Sequence, residues 1–583
     1  NAGSLSLGDI EKHSETISPT GAFRFLPAAI ALLSVAFGTL LIVRTYSVFS
    51  QVYDEPAHIA AGMEWLDRGT YTYDALHPPL ARVAVAMGPY LAGSRSQGAP
   101  DMWSEGNAIL DAQGRYQRTL TLARLGVLPF FWLSCFFLWN FVSRRWSPWH
   151  AALTILFLAY CPPVLANASV ATTDLPLMAM FLWALVSFWR FLEEPRLSTG
   201  ILACVTMGLA IVCKIPAIPF LVVSCGTLYL CRPPPRERAS LTWKALVGAG
   251  VGISLIIWAG YRFSVGPILT QGQLTPSEIG DLHRLPAGLT RIFFFRGVPA
   301  HEFFMGVARA FLINASGKPA YIFGHVYNGG HWYFFPVAIA VKTPIPLLAL
   351  AAAGIACALA RAERRAHPVV LVPLVGIGGP LLVAMLGNVN IGLRHVLVIY
   401  PFMAVFAAIS SVKLWELRGS RWKMLTGKTA TILLILWSIV TCVRASPDFI
   451  PYFNELAAPY ASSILIDSDF DWGQDLNRLS IVLQQLHVES FWFAYEGSAD
   501  LSRRGLPPFQ VLPPKTEPSG WIAISEYKYK TLPQNFGWLE AYTPVRIIGK
   551  TIRLYYLAPP THTLSWETSA VSSLRCDQVI AAP

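Results

Sequence analysis

Apolar stretches dominate the chain. A run of about 17–25 apolar residues can cross the hydrocarbon layer of a bilayer as a helix. Eleven runs fit or come near that length: 26–48, 122–142, 150–168, 174–192, 198–213, 216–231, 243–263, 335–360, 368–386, 394–412 and 428–446. The runs 198–213 and 216–231 are short, and Lys214-Ile215-Pro216 must then turn between them. The pattern predicts a mainly α, polytopic membrane helix bundle of about eleven spans.

The polar segments between runs are of two kinds. Short loops carry Arg144 and Arg145, Arg190 and Arg196, Arg232 to Lys244, Arg361 to Arg365, and Lys413 to Lys428. Short basic loops belong in the cytoplasm. The long segments 49–121 and 264–334 and the tail from 447 then lie on the other side. Three units follow: a cytoplasmic N-terminal segment 1–25, a transmembrane unit 26–446 with outer loops 49–121 and 264–334, and an extracytoplasmic C-terminal domain 447–583. The segment 1–25 is polar and lacks the form of a signal peptide.

The first outer loop is patterned. His58, Ile59, Met63, Trp65 and Leu66 recur at near-helical spacing, and Pro78–Leu91 is apolar but too short to span. Two helices along the membrane surface are expected. In the tail, Phe491–Tyr495, Trp521–Ser525 and Ile552–Tyr556 read as strands separated by Pro and Gly. They predict a small α/β domain.

Composition agrees. The chain is 54% hydrophobic and 14% charged, against about 25% charged in soluble proteins. The formal charge of +11 comes from the basic loops. It therefore speaks for membrane orientation and against nucleic-acid binding. Eight of the nine cysteines lie in or at the ends of apolar runs, with no metal spacing and no disulfide framework.

Candidate chemistry gathers at the outer face. Asp54 and Glu55 follow the first run, ahead of His58, His77 and Arg82. Neighbouring carboxylates can supply a general base, and burial with mutual repulsion would raise one pKa. Equally, Asp54 could be a helix N-cap with Pro56 at the first helical position. The residues alone leave both open. Asp174, at the turn Thr172-Thr173-Asp174, is a second outer carboxylate with the same two readings. Lys214, Lys342, Arg394 and His395 sit at outer ends of runs. Lys342 lies about two turns into its run, and a cation at that depth wants an anion, such as a lipid phosphate. The stretch Asp467–Asp475 fails as a calcium loop, because Gly473 comes one place late and Arg478 stands where the closing Glu belongs. Asp471 and Gln474 within it are expected to form a substrate or docking loop.

Together these motifs resemble a known family. Tyr53-Asp54-Glu55-Pro56-Ala57-His58, Gly69-Thr70-Tyr71 and His77-Pro78-Pro79-Leu80-Ala81-Arg82 are similar to the outer loop of bacterial polyprenyl-phosphate-dependent glycosyltransferases of the protein O-mannosyltransferase type. Thr173–Pro176, Gly208–Lys214, Tyr333–Pro344, Asn390–His395, Tyr452–Glu455 and Asp471–Leu476 look like the same family. The resemblance covers roughly residues 26–480.

It implies the C-type glycosyltransferase fold in a bacterial plasma membrane. It implies inverting transfer of a hexosyl or pentosyl group from a polyprenyl-phosphate-sugar donor to a hydroxyl of a protein, lipid or envelope glycan. Asp54 would be the base, Glu55 and Asp174 its acidic companions. Lys342 and Arg394, with Lys214 and His395, would hold the donor phosphate. The acceptor or substrate loop would comprise His58, His77, Arg82, Asp471 and Gln474. Family members need no organic cofactor; a divalent metal serves some and not others. Two other readings use the same residues: a transporter or flippase for a lipid-linked sugar, and a non-catalytic subunit of a membrane assembly. The first should show inverted halves and helices broken in mid-membrane, and the sequence displays neither.

Overall fold

The computed structural model describes residues 21–232, 242–268, 297–360 and 367–559. The N-terminal segment as far as residue 20, much of the second outer loop, two basic loops and the last 24 residues lie outside it. The molecule is mainly helical, with apolar helices on all eleven runs and a small sheet near the C-terminus. It is a multi-pass membrane protein.

Among the described residues, seven helices are long and apolar enough to cross a membrane. An eighth is the pair Pro148–Ala159 and Pro162–Ala168, bent by 66°. Leu197–Cys213, Ala217–Cys231 and Ile345–Leu359 are apolar but shorter. Two runs expected to be continuous are therefore interrupted. Run 150–168 breaks at Cys161-Pro162-Pro163. Run 335–360 breaks between Phe334–Lys342 and Ile345–Leu359, at Thr343-Pro344. Proline lacks the N–H that continues the helical ladder and pushes its predecessor into extended backbone. Thr343 is extended, with ψ 137°.

Burial separates centre from rim. The span Leu393–Trp415 has 89% of its apolar window buried and Asp174–Glu193 has 78%, whereas Trp243–Gly260 has 6%. The first two are central and the last faces lipid. The two central helices begin at one end of the bundle, and Asp174 and Arg394 are on those ends.

The first long loop holds three complete α-helices, Glu55–Met63, Pro79–Leu91 and Met102–Asp111. The third adds to the two helices expected there. Every residue of Glu55–Met63 is buried. That helix is enclosed by protein rather than lying on headgroups, which corrects the surface-helix expectation. Glycine allows the enclosure. A Cβ on Gly62 would stand 2.1 Å from the Arg82 carbonyl oxygen, and one on Gly106 2.1 Å from that of Pro56. The three backbones touch because those positions carry no side chain.

The C-terminal sheet has five strands in the spatial order Phe509–Val511, Phe491–Ala494, Gly520–Ser525, Ile552–Leu557, Arg546–Ile548. The first three are parallel and the last two pair antiparallel. Alternation along the strands fills two layers. Ala523 and Leu554 pack with Leu476, Leu479 and Leu483 of the helix Leu476–Gln485. Ile522, Ile524 and Tyr555 pack on the opposite face with Phe536 and Leu539. Residues Phe449–Trp472 instead join the core of the bundle, which brings the loop 467–475 against the first outer loop.

Candidate functional site

Two backbone hydrogen bonds dock these loops. Ser50 N–H donates to the Gln474 carbonyl at 3.0 Å, and Tyr53 N–H to that of Trp472 at 2.9 Å. Asp54 follows directly. Its side chain caps nothing. It forms an ion pair with Arg394, 340 positions away. The same guanidinium lies 3.9 Å from Asp174 Oδ2, and Lys214 Nζ donates to Asp174 Oδ1 at 2.5 Å. The ring of Trp472 lies under Arg394, 4.3 Å from its guanidinium carbon. Asp174 opens its own helix, but that helix has no side-chain cap either. The cap readings of both aspartates are overturned, because each carboxylate is spent on a cation.

The result is a charge chain, Asp54–Arg394–Asp174–Lys214, assembled from four separate segments. Asp54 is the most open member at 24% exposure, against 2% for Asp174. Asp174 Oδ2 and Arg394 Nε have no hydrogen-bond partner among the described residues. Burial pushes the Asp54 carboxyl up, but Arg394 outweighs it and holds the carboxyl below its ordinary value. The expected raised pKa is thus absent at Asp54, which stays ionised at neutral pH.

Glu55 has a different fate. Its oxygens accept from Arg124 Nε and Nη2 at 2.8 and 2.9 Å, and from the backbone N–H groups of Val52 and Ala171 at 2.8 Å each. Both side chains of the ion pair are fully buried. Glu55 is a tie between the outer loop, the second span and the Asp174 turn. Both oxygens of this expected companion of Asp54 are thus occupied by protein donors. Arg124 escaped the sequence reading, although an arginine inside an apolar run is itself a signal.

His58 and Arg82 are also interior. Arg82 pairs with Asp74, donates to His58 Nδ1 at 3.1 Å and to Tyr71 Oη at 3.2 Å, and is 1% exposed. Burial lowers the pKa values of His58 and His77, leaving both neutral. His77 sits 3.3 Å from Asp74 and close enough to be felt at Asp54. Asp74 was not among the expected residues. His58 and Arg82 therefore support the loop from behind, and His77 is the member nearest Asp54.

Lys342 also has protein partners. Its ammonium donates to the carbonyl oxygens of Ile450, at 2.7 Å, and Asp469, and lies 4.6 Å from the Phe453 ring centre. It lines, with Arg394, Asn167, Ser468 and Trp472, a small pocket beside the charge chain. His395 is half-buried, near Asp174 and Lys214, and its ring makes no hydrogen bond to the chain among the described residues.

The acidic loop divides its carboxylates. Asp469 accepts from Leu393 N–H, Asp471 from Gly473 and Tyr527 N–H, and Asp475 from Thr551 and Arg478. Gln474 bonds within the loop, to Trp472 N–H and the Phe470 carbonyl. Asp471 and Gln474 therefore hold the loop's shape. Among the described residues, the Asp467 carboxylate accepts only from its neighbour Ser468 N–H, at 2.6 Å; Asp467 has φ +52° and feels both Arg394 and Asp54. No group of three or more His, Cys, Asp or Glu is placed to hold a metal ion among the described residues.

Residues 118–260, which include Asp174 and Lys214, match the family described as dolichyl-phosphate-mannose-protein mannosyltransferase. The chain thus resembles the polyprenyl-phosphate-dependent glycosyltransferases of that type. Comparison with curated protein sequences finds no match. Among solved structures, ArnT from Cupriavidus metallidurans bound to undecaprenyl phosphate aligns at 12% identity and TM-score 0.46, over 91% of this chain and 99% of that one. The AglB oligosaccharyltransferase from Archaeoglobus fulgidus, in complex with an inhibitory peptide and a dolichol-phosphate, aligns at 10% identity and 0.46, over 90% and 73%. The S. cerevisiae protein O-mannosyltransferase Pmt1-Pmt2 complex bound to its sugar donor aligns at 11% and 0.46, over 83% and 94%.

Proposed function

We propose that this protein transfers a sugar from a polyprenyl-phosphate donor to an acceptor hydroxyl at the outer face of a bacterial plasma membrane, by a single inverting displacement. The observation that carries the reading is the shared guanidinium: Arg394 joins Asp54 to Asp174, and Lys214 joins the far side of Asp174. An ionised carboxylate beside two cations suits a proton acceptor next to an anion site.

The roles follow from charge. Asp54 takes the proton of the acceptor hydroxyl. The acceptor oxygen bonds to the anomeric carbon as the bond from that carbon to the phosphate oxygen breaks. The phosphate leaves with both electrons of that bond, and Arg394 and Lys214 are the cations placed to stabilise it. Lys342 shapes the pocket wall through its carbonyl bonds. A donor phosphate competes with Asp54 for Arg394. Its arrival would release the carboxylate and restore its basicity, so the base becomes effective once donor is present.

Mass spectrometry of lipid-linked sugars tests this reading. A deletion strain is expected to accumulate one polyprenyl-phosphate sugar and to lose one glycan. An unchanged lipid-linked pool and glycan profile would exclude it. Accumulation on the cytoplasmic leaflet alone would favour the transporter.

Asp467 adds a pH dependence. Burial pushes its carboxyl up, Arg394 opposes, and the value is about 7. It is protonated below that pH and ionised above it. Ionisation adds a negative charge beside the anion site, so the donor KM is expected to rise as pH passes from 6 to 8. Asp467→Asn tolerates the positive φ and should flatten that rise. An identical KM–pH curve in the variant would refute the role.

A further inference from the structure

A second basic cavity lies away from the charge chain. It has a volume of about 200 Å³ and is formed where residues 92–97 meet residues 112–122. Arg95, Arg115 and Arg118 line it, with Ser94, Gln97 and Thr119, and no carboxylate is among its lining residues. It shares no lining residue with the pocket beside Arg394.

Its arginines are not spent on one another's counterions. Among the described residues, Arg115 and Arg118 have no ion-pair partner. Arg95 lies 3.5 Å from Asp67 but is 48% exposed. It is oriented by its own carbonyl bonds, to Tyr90 and Ser94 at 2.8 Å each, and by stacking 4.2 Å over the Tyr90 ring. Two exposed guanidiniums without partners repel each other across a concave surface, and an anion resolves that repulsion.

The position of the cavity names the anion. Arg118 is in the first turn of the helix Tyr116–Leu125, which leads into the apolar span ending at Arg145. The cavity is therefore at the opposite end of that span from Arg144 and Arg145, at headgroup level. Directly below it, Gly88 lies against the Leu122 carbonyl, so Pro79–Leu91 and Tyr116–Leu125 run in contact. On those two helices Leu91, Leu125 and Met87 are exposed, Leu91 by 76%. A polar basket above an apolar wall fits an amphiphile with a phosphate head and an acyl tail.

We propose that this cavity binds the phosphoryl headgroup of an anionic phospholipid of the outer leaflet, with an acyl chain along Met87, Leu91 and Leu125. The site rests on its own residues and does not depend on the proposed transfer reaction. Guanidinium groups pair with phosphate oxygens through parallel hydrogen bonds. A basic residue near an anionic lipid surface strengthens binding roughly fivefold each.

The full-length protein in nanodiscs tests this. Wild type is expected to keep a phosphatidylglycerol molecule in native mass spectrometry and to melt higher in phosphatidylglycerol-containing discs than in phosphatidylcholine discs. The double variant Arg115→Gln/Arg118→Gln should lose most of that retention, roughly 25-fold, and melt as wild type does in phosphatidylcholine. Equal lipid retention in variant and wild type would overturn the site. So would full reproduction of the stabilisation by inorganic phosphate, which would make a soluble anion the ligand, or retention of a polyprenyl phosphate in place of the phospholipid.

Discussion

Asp54→Asn is expected to lower kcat by roughly 10²–10⁴-fold, the usual contribution of a positioned general base, while the protein folds and melts as wild type does. Asparagine keeps the shape of the side chain and one oxygen that can still accept from Arg394. What it loses is the charge that receives a proton. Asp54 is also the most open member of the charge chain, at 24% exposure, so little packing depends on it. Donor binding should survive or tighten, because Arg394 loses its competitor and keeps Asp174 at 3.9 Å. The measurement is turnover of lipid-linked sugar alongside thermal unfolding in the same detergent. Wild-type turnover in the variant would remove Asp54 from the mechanism.

The neighbouring carboxylate should behave in the opposite way. Glu55→Ala strands a fully buried Arg124 and deprives two buried N–H groups, those of Val52 and Ala171, of their acceptor. Removing one partner of a buried ion pair costs about 3–5 kcal/mol. A lower melting temperature and reduced yield are expected, and any loss of activity should follow the loss of folded protein. The milder Glu55→Gln keeps the side-chain shape and should fall between the two. Activity abolished in a Glu55→Ala protein that melts like wild type would reverse this assignment and make Glu55 a catalytic group. The two adjacent residues thus separate cleanly, one by turnover and the other by stability.

That separation shows where sequence reading stops. Adjacent carboxylates point in different directions from a helix start, and nothing local says which will meet Arg124 and which Arg394. The partner of Asp54 is 340 positions away, and helix propensity carries no information about it. The capping alternative for Asp54 and Asp174 is locally sound, and it fails because each carboxylate pairs with a cation instead of a backbone N–H. Lys342 reads from the sequence as a cation that wants an anion such as a lipid phosphate, whereas in the structure two carbonyl oxygens accept from its ammonium. Asp467 was seen as part of a loop, yet its separate position depends on a backbone turn that the sequence does not announce.

Long-range order behaves differently from patterning. Apolar runs, basic loops and alternating strands are local signals, repeated over many residues, so single exceptions average out. By itself the sequence therefore determined a helical membrane protein with a small C-terminal sheet, patterned long loops and acidic residues beside the first and third runs. The tertiary structure alone decided that Asp54, Asp174, Lys214 and Arg394 form one chain of charge while Glu55 is sealed into the core. The reason is that pairing buried charges depends on which helix ends meet, and that is set by the packing of the whole bundle.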